Sequence, residues 1–184
     1  MQNLRQTLRS NRKSVSSANR KKFAKNLANQ SKKLANFKTG QKIALYLPND
    51  GEIDPKYIHK FLKKSGNSLY LPLLFGKKLK FAKIGKNFRK NRFGISEPKN
   101  TQILSANKIN IIFMPLVGFD KNKNRIGMGG GFYDQTLSFK KQQQFFKQPK
   151  LYGLAFNCQK VEQLTPKPWD VTLDAVITPS KIYQ

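Results

Sequence analysis

"INIIFMPLVGFDKNKNRIGMGGGFYDQTL", Ile109 to Leu137, changes texture twice. It begins as a near-continuous apolar run rich in β-branched and aromatic residues, which reads as a strand buried on both faces. A polar turn follows, then glycine at 127, 129, 130 and 131, and then Phe-Tyr-Asp leading into a helical segment. Glycine costs conformational entropy wherever it sits, so this density points to a backbone that needs positive φ or close approach by a ligand. Strand, glycine loop and helix in this order are the parts of an α/β unit, in which the ligand crevice lies beyond the carboxyl ends of the strands.

Working outward, short apolar runs recur: "KIALYLP" (42–48), "SLYLPLL" (68–74), "KLKFAKIG" (78–85), "KLYGLAFN" (150–157) and "DAVITP" (174–179). Each is bounded by turn residues and reads as a buried strand. Between them lie helical segments. "DPKYIHKFLKKS" has Asp54 placed as N-cap and Pro55 at the first helical position, and "GFYDQTLSFKKQQQFFK" follows the glycines. From Leu4 to about Phe37 the apolar residues recur near helical spacing among Arg and Lys, which predicts one or two helices broken near "SVSSAN". The expected fold is α/β: a three-layer α/β/α domain with a mostly parallel, doubly wound sheet, a single domain over residues 1–184. The segment 85–100, "GKNFRKNRFGISEPKN", breaks the pattern and reads as a long loop or small excursion.

Composition narrows the class. Apolar residues make up 38% of the 184, with 14 Phe and 6 Tyr, enough to fill one core. Lys and Arg number 36 against 9 Asp and Glu, a formal charge of +27, which attracts phosphates, nucleic acid or anionic small molecules without saying which. The lysines form no block of five or more, so a solvated basic surface is the simpler reading. The single cysteine, Cys158, excludes an internal disulfide and a CxxC metal site. No run approaches the ~20 apolar residues that span a bilayer, and "MQNLRQTLRSNRKS" lacks the apolar core of a signal peptide. A cytoplasmic monomer with no membrane association is expected.

Backbone N–H groups at a glycine-rich turn and helix start form an anion cradle. Arg125 can fork onto phosphate oxygens, and Asp134 at the far end can hold magnesium. On spacing alone a ligand-free tight turn stays open: Phe132 stands where a third glycine would complete GxGxxG, and no Walker A sequence is present.

The wider stretch resembles the 5-formyltetrahydrofolate cyclo-ligase family, also called methenyltetrahydrofolate synthetases. The matching letters are Pro115, Phe119, Asp120, Arg125, Gly127, Gly129, Gly131, Tyr133 and Asp134. The likeness runs on in family order through "LRQTLRSNR", "ALYLPNDGEID", "LYLPLL", "GISEP" and "PWDVTLDAVIT".

The resemblance implies closure of 5-formyltetrahydrofolate to 5,10-methenyltetrahydrofolate with ATP split to ADP and phosphate, and with Mg2+. It implies that Arg5, Arg9 and Arg125 bind ATP together with Gly127, Met128, Gly129, Gly130, Gly131, Phe132, Tyr133 and Asp134. Arg125 and Tyr133 are then the catalytic candidates, Glu52, Phe132 and Tyr133 the folate contacts, and Asp134 and Asp174 the magnesium carboxylates. For Asp174 a strand-end cap is the plain alternative, and for Arg5 and Arg9, one helical turn apart, a solvated basic face. Two positions depart from the family: Met1 stands where a Lys is common, and Phe132 replaces a tyrosine. His59 and Trp169 are given no role.

Two other classes compete. A basic nucleic-acid-binding protein fits the charge, but no RNP-like, zinc-finger or helix-turn-helix pattern supports it. A dinucleotide-dependent oxidoreductase lacks the third glycine and the acidic residue about 20 positions on.

Overall fold

Alternation along one run builds both faces of the sheet: Ile111 and Phe113 enter one hydrophobic cluster, Ile112 and Met114 the other. Side chains of successive strand residues point to opposite faces, so a run apolar at every position must be covered twice. The computed structural model describes residues 2–34, 37–99, 102–142 and 148–184.

In chain order, α1 (Gln2–Lys13) and α2 (Ser17–Leu34) come first, then β1 (Lys42–Ala44), α3 (Lys56–Lys64), β2 (Ser68–Phe75) and β3 (Lys78–Lys83). A ribbon of β4 (Phe88–Lys90) and β5 (Ser96–Pro98) leads to β6 (Ile103–Leu104) and β7 (Ile111–Pro115). A second ribbon pairs β8 (Gly118–Phe119) with β9 (Arg125–Ile126), followed by α4 (Phe132–Leu137), α5 (Phe139–Gln142), β10 (Lys150–Leu154), β11 (Ala175–Ile177) and β12 (Ile182–Tyr183).

The large sheet has the order β12-β11-β10-β7-β1-β2-β3-β6. β11, β10, β7, β1 and β2 are mutually parallel, and β12, β3 and β6 close the edges antiparallel. Leu27 of α2 and Ile58 and Leu62 of α3 cover Ile43, Leu69 and Phe113 on one face. Leu137 of α4, with Phe119, Val171 and Leu173, covers Ala44, Ile112 and Val176 on the other. The expected three-layer α/β/α architecture with a mostly parallel sheet is the one found.

The expected strand in the run 78–85 is β3, and it turns straight back on β2, because only Gly76 and Lys77 separate the strands and a parallel return needs a crossover of a dozen residues or more. Two details differ from the sequence reading. The helix expected over 131–147 is interrupted at Ser138, and its end at 143–147 falls outside the described residues. Pro55 is the N-cap of α3 and not its first helical residue, with the Asp54 carboxylate accepting the Lys56 N–H at 2.9 Å. The excursion at 85–100 contains the β4–β5 ribbon.

β1 leads to β2 on one side, while β7 lies on its other side, so the chain switches direction between β1 and β7. Loops leaving the carboxyl ends of neighbouring strands at such a point diverge and open a crevice. The two loops here are Leu45–Pro55 and Leu116–Gly131. α1 lies across the second: Leu8 packs with Val117 and Ile126, and a Cβ on Gly118 would sit 2.5 Å from the Leu8 methyl.

Candidate functional site

The loop after β7 is held from inside by Asp120, which is fully buried. Its Oδ1 accepts the N–H groups of Asn122 and Asn124 at 2.9 and 3.0 Å, and its Oδ2 accepts the Asn124 side-chain amide at 2.9 Å and the Leu164 N–H at 3.0 Å. A buried carboxylate with this many donors is satisfied in place. It fixes the 120–124 turn and thereby the start of β9, where Arg125 stands.

Past β9 the chain enters the glycines. Gly129 (φ +103°) and Gly131 (φ +64°) occupy the left-handed region that side chains rarely adopt. Gly131 is the N-cap of α4, which puts Phe132, Tyr133 and Asp134 in the first helical turn. The Arg5 Nε donates to the Gly127 carbonyl at 3.0 Å, so α1 reaches the loop directly.

Arg125 closes the loop. Its side chain is 6% exposed, its Nη2 lies 2.5 Å from Asp134 Oδ1, and its Nη1 donates to the Val171 carbonyl. Asp134 Oδ1 also accepts the Val171 N–H at 3.1 Å. Both contacts to Asp134 use Oδ1, and together with the Arg125–Val171 bond they draw the segment before β11 against the glycine loop.

That segment brings in Asp170. It lines the same cavity as Asp134, with its Oδ2 accepting the Lys167 N–H at 2.8 Å. Asp174 is elsewhere: its Oδ2 accepts the Leu151 N–H at 2.8 Å, and its Oδ1 is 2.7 Å from the Lys150 ammonium. Leu151 sits at the amino end of β10, whereas the glycine loop lies beyond the carboxyl end of the adjacent parallel β7. The expectation that Asp174 pairs with Asp134 on a metal is therefore corrected, and the aspartate of that segment that lines the cavity with Asp134 is Asp170.

Arg9 is engaged by the loop after β1. Its Nε is 2.6 Å from Asp50 Oδ2, and Lys13 and the buried Arg12 share the same carboxylate at 2.5 and 2.8 Å. Arg9 first, then Lys13 and Arg12, hold the Asp50 carboxyl well below the usual range. Arg5 meets the glycine loop and Arg9 does not; the Met1 position lies outside the described residues.

On the β1 side the chain turns sharply through Asn49–Glu52. The Tyr46 hydroxyl donates to the Ile53 carbonyl at 2.7 Å, and Glu52 closes on Asn49 twice, by its N–H to the carbonyl and by its Oε2 from the Asn49 N–H, each at 3.0 Å. Burial pushes the Glu52 carboxyl up to about 7, with the Asn49 N–H and Arg12 opposing the shift and Asp50 reinforcing it. The Tyr133 hydroxyl is also pushed up by burial and then by the Glu52 charge, so it stays protonated across neutral pH.

Both loops line one cavity of about 1240 Å³. That exceeds the ~300–1,000 Å³ of a pocket for one small ligand and leaves room for two. Arg5, the glycines, Met128, Asp134 and Asp170 line it together with Tyr46, Glu52, Phe132 and Tyr133. Two aromatic residues in it escaped the sequence reading. Phe93, on the turn between β4 and β5, is 53% exposed and meets Phe132 edge-on at 5.9 Å between ring centroids, and Trp169 is 61% exposed. The Trp169-Asp170 pair was the available signal for that segment. Phe93 had none, because it lies where the periodicity fails.

Among the described residues no group of three or more His, Cys, Asp or Glu is placed to hold a metal. Asp134 and Asp170 suit Mg2+, which takes one or two carboxylates and completes its shell with phosphate oxygens and water. No helix among them is long and apolar enough to cross a membrane.

Residues 1–179 match the 5-formyltetrahydrofolate cyclo-ligase family. The 5-formyltetrahydrofolate cyclo-ligase of Haemophilus influenzae is 45% identical over 138 residues, covering 71% of this chain and 72% of the relative. That of Escherichia coli is 38% identical over 149 residues, 77% and 80% of the two chains. Among solved structures, the 5,10-methenyltetrahydrofolate synthetase of Aquifex aeolicus superimposes with a TM-score of 0.84 at 26% identity, covering all of this chain and 91% of that one. The synthetase of Mycoplasma pneumoniae gives 0.76 at 26% identity over 97% and 98%. With the match running through both crevice loops and most of each relative's length, the chain belongs to the 5-formyltetrahydrofolate cyclo-ligase family, a family of ligase enzymes.

Proposed function

We propose that this enzyme uses ATP to close 5-formyltetrahydrofolate into 5,10-methenyltetrahydrofolate, releasing ADP and phosphate. The observation that carries the reading is the single cavity of about 1240 Å³ in which the glycine loop with Asp134 and Asp170 faces the Glu52 turn. The whole chain acts as one domain, and both substrates meet between its two crevice loops.

A formamide oxygen is a very poor leaving group, so direct ring closure fails. Transfer of the γ-phosphoryl group breaks the bond to ADP and makes a bond to the formyl oxygen. The N10 lone pair then attacks the formyl carbon, N10 loses its proton, and the carbon–oxygen bond breaks with phosphate as the leaving group. Phosphoryl transfer depends on positioning and charge neutralisation, and no covalent protein nucleophile is needed.

The residues divide accordingly. Backbone N–H groups of Gly127–Gly131 and the Arg5 guanidinium receive the phosphates. Asp134 and Asp170 hold Mg2+, which when bound neutralises phosphate charge. Arg125, committed to Asp134 and the Val171 carbonyl, acts by fixing that carboxylate. Glu52 accepts two adjacent N–H donors on the pterin edge, which suits a carboxylate with two oxygens. Tyr133 keeps its proton as a hydroxyl donor next to Glu52, and Phe93 and Phe132 form the apolar wall for the folate ring system.

The test is the methenyltetrahydrofolate absorbance formed from 5-formyltetrahydrofolate by purified protein, with and without ATP and Mg2+. Product is expected only with both present. ATP binding without product would remove the folate assignment, and no ATP binding would remove the whole reading.

A further inference from the structure

Arg12 has no exposed side-chain surface, yet it carries a charge that an apolar interior would reject without partners. Its Nε donates to the Asp50 carbonyl at 2.9 Å, its Nη2 to Asp50 Oδ2 at 2.8 Å, and its Nη1 to the Leu116 carbonyl at 2.9 Å. The same Nη2 lies 3.7 Å from the Met128 sulfur. Leu116 is the first residue beyond β7, and Met128 is inside the glycine loop. Asp50 belongs to the turn that carries Glu52 and adopts φ +48°, an uncommon value for a residue with a side chain. One planar guanidinium therefore touches three walls of the cavity.

Arg20 reinforces the arrangement from behind. Its Nη1 donates to the Gly51 carbonyl at 2.9 Å and its Nη2 to the Arg12 carbonyl at 2.5 Å, tying the turn to the end of α1. Glu52 itself makes no ion pair with Arg12, so Arg12 acts on it through the turn and through space.

We propose that Arg12 is a positioning residue that locks the Asn49–Glu52 turn against the glycine loop and so presents Glu52 to the folate. The proposal rests on Glu52 being the folate carboxylate. The charged and titratable groups facing Glu52 are Asp50 in its own turn, Arg12 from α1 and Tyr133 from α4, with Tyr46 and Asp54 on the flanking backbone. Arg12 favours the ionised carboxylate and Asp50 disfavours it, so removing either charge moves the Glu52 titration in a known direction.

The experiment compares kcat/KM for 5-formyltetrahydrofolate between pH 6 and 9, at saturating ATP, in the full-length protein and its Arg12→Met and Arg12→Lys variants. Arg12→Met is expected to move the midpoint to higher pH by about half a unit or more and to raise KM for the folate about tenfold, with a much smaller change in KM for ATP. Arg12→Lys is expected to return the midpoint while recovering KM only in part, because an ammonium supplies the charge but not the fork that spans Asp50 and Leu116. If Arg12→Met does not fold, Asp50→Asn makes the same test with the opposite sign, a midpoint moved to lower pH.

A folded Arg12→Met protein with an unmoved midpoint, or with both KM values raised alike, overturns the proposal and leaves Arg12 a structural ion pair. Glu52→Gln separates the two ideas. If the wild-type pH dependence near 7 persists in Glu52→Gln, the folate assignment of Glu52 fails; if it vanishes while Arg12→Met shifts nothing, only the role of Arg12 falls.

Discussion

The Arg125 guanidinium meets the Asp134 carboxylate at 2.5 Å across the glycine run, so the two ends of the loop are joined by an ion pair that is 6% exposed on the arginine side. Removing one partner of such a pair leaves the other without compensation. Arg125→Ala is expected to cost about 3 kcal/mol of stability and to lower the melting temperature by roughly 6–12 °C. Turnover should fall by about 100-fold or more as the loop loses its geometry. Asp134→Asn keeps an acceptor for Arg125 and should lose activity with a smaller change in melting. Thermal melts beside steady-state kinetics check both, and wild-type melting with normal turnover in Arg125→Ala would remove the clasp from the account.

Asp170 and Asp174 lie four positions apart, and their substitutions should behave differently. Asp170→Asn is expected to raise the Mg2+ concentration for half-maximal turnover by about tenfold, since one of two hard carboxylate ligands is lost. Asp174→Asn should leave that concentration unchanged and cost about 1–2 kcal/mol, through weakened contacts to the Leu151 N–H and the Lys150 ammonium. A Mg2+ titration of each variant decides it. Equal dependence on Mg2+ in wild type and Asp170→Asn would exclude Asp170 as a ligand.

The contrast between these aspartates marks what the sequence could disclose. The glycine loop was legible because strand, loop and first helical turn are contiguous, so local chemistry carries them together. Which end of a strand a residue occupies depends on where pairing begins. β11 begins at Ala175, which sends Asp174 to the amino end and leaves Asp170 near the crevice. Helical spacing likewise put Arg5 and Arg9 on one face of α1, but it did not show that Asp50 would return from the β1 loop to claim Arg9 and bury Arg12. Phe93 reaches the cavity from a ribbon outside the main sheet, where periodicity offered no guide.

The raised Glu52 carboxyl predicts a pH-dependent stability. Its folded value of about 7 lies above the ordinary 4.5, so the folded protein holds the proton more tightly than the unfolded chain. That contribution is fully present below about 4.5 and is lost as pH rises through about 7. Glu52→Gln removes the ionisation, so it should melt several degrees higher than wild type at pH 8, a gain of up to about 3 kcal/mol, with the difference closing toward pH 4.5. Folate use should run the other way: kcat/KM for the folate in wild type rises with pH through about 7 and is low and flat in the variant. Melting curves that stay parallel from pH 5 to 8 would show that Glu52 does not titrate there.

Trp169 is the sole tryptophan of the chain, so its emission reports one place on the cavity wall. Since Trp169 lines the cavity and is exposed, a ligand filling that wall changes its surroundings. Excited at 295 nm, where ATP does not absorb, the protein is expected to show a saturable change in emission as ATP and Mg2+ are added. Asp170→Asn should move that curve to higher ATP concentration by about tenfold, since the neighbouring carboxylate sets the phosphate end of the ligand. Phe93→Ala should leave the ATP curve in place while raising KM for the folate about tenfold, because its ring stands at the Phe132 wall and is too exposed to matter much for stability. A folate KM unchanged in Phe93→Ala, with the ATP curve displaced instead, would reverse the assignment of the two halves of the cavity.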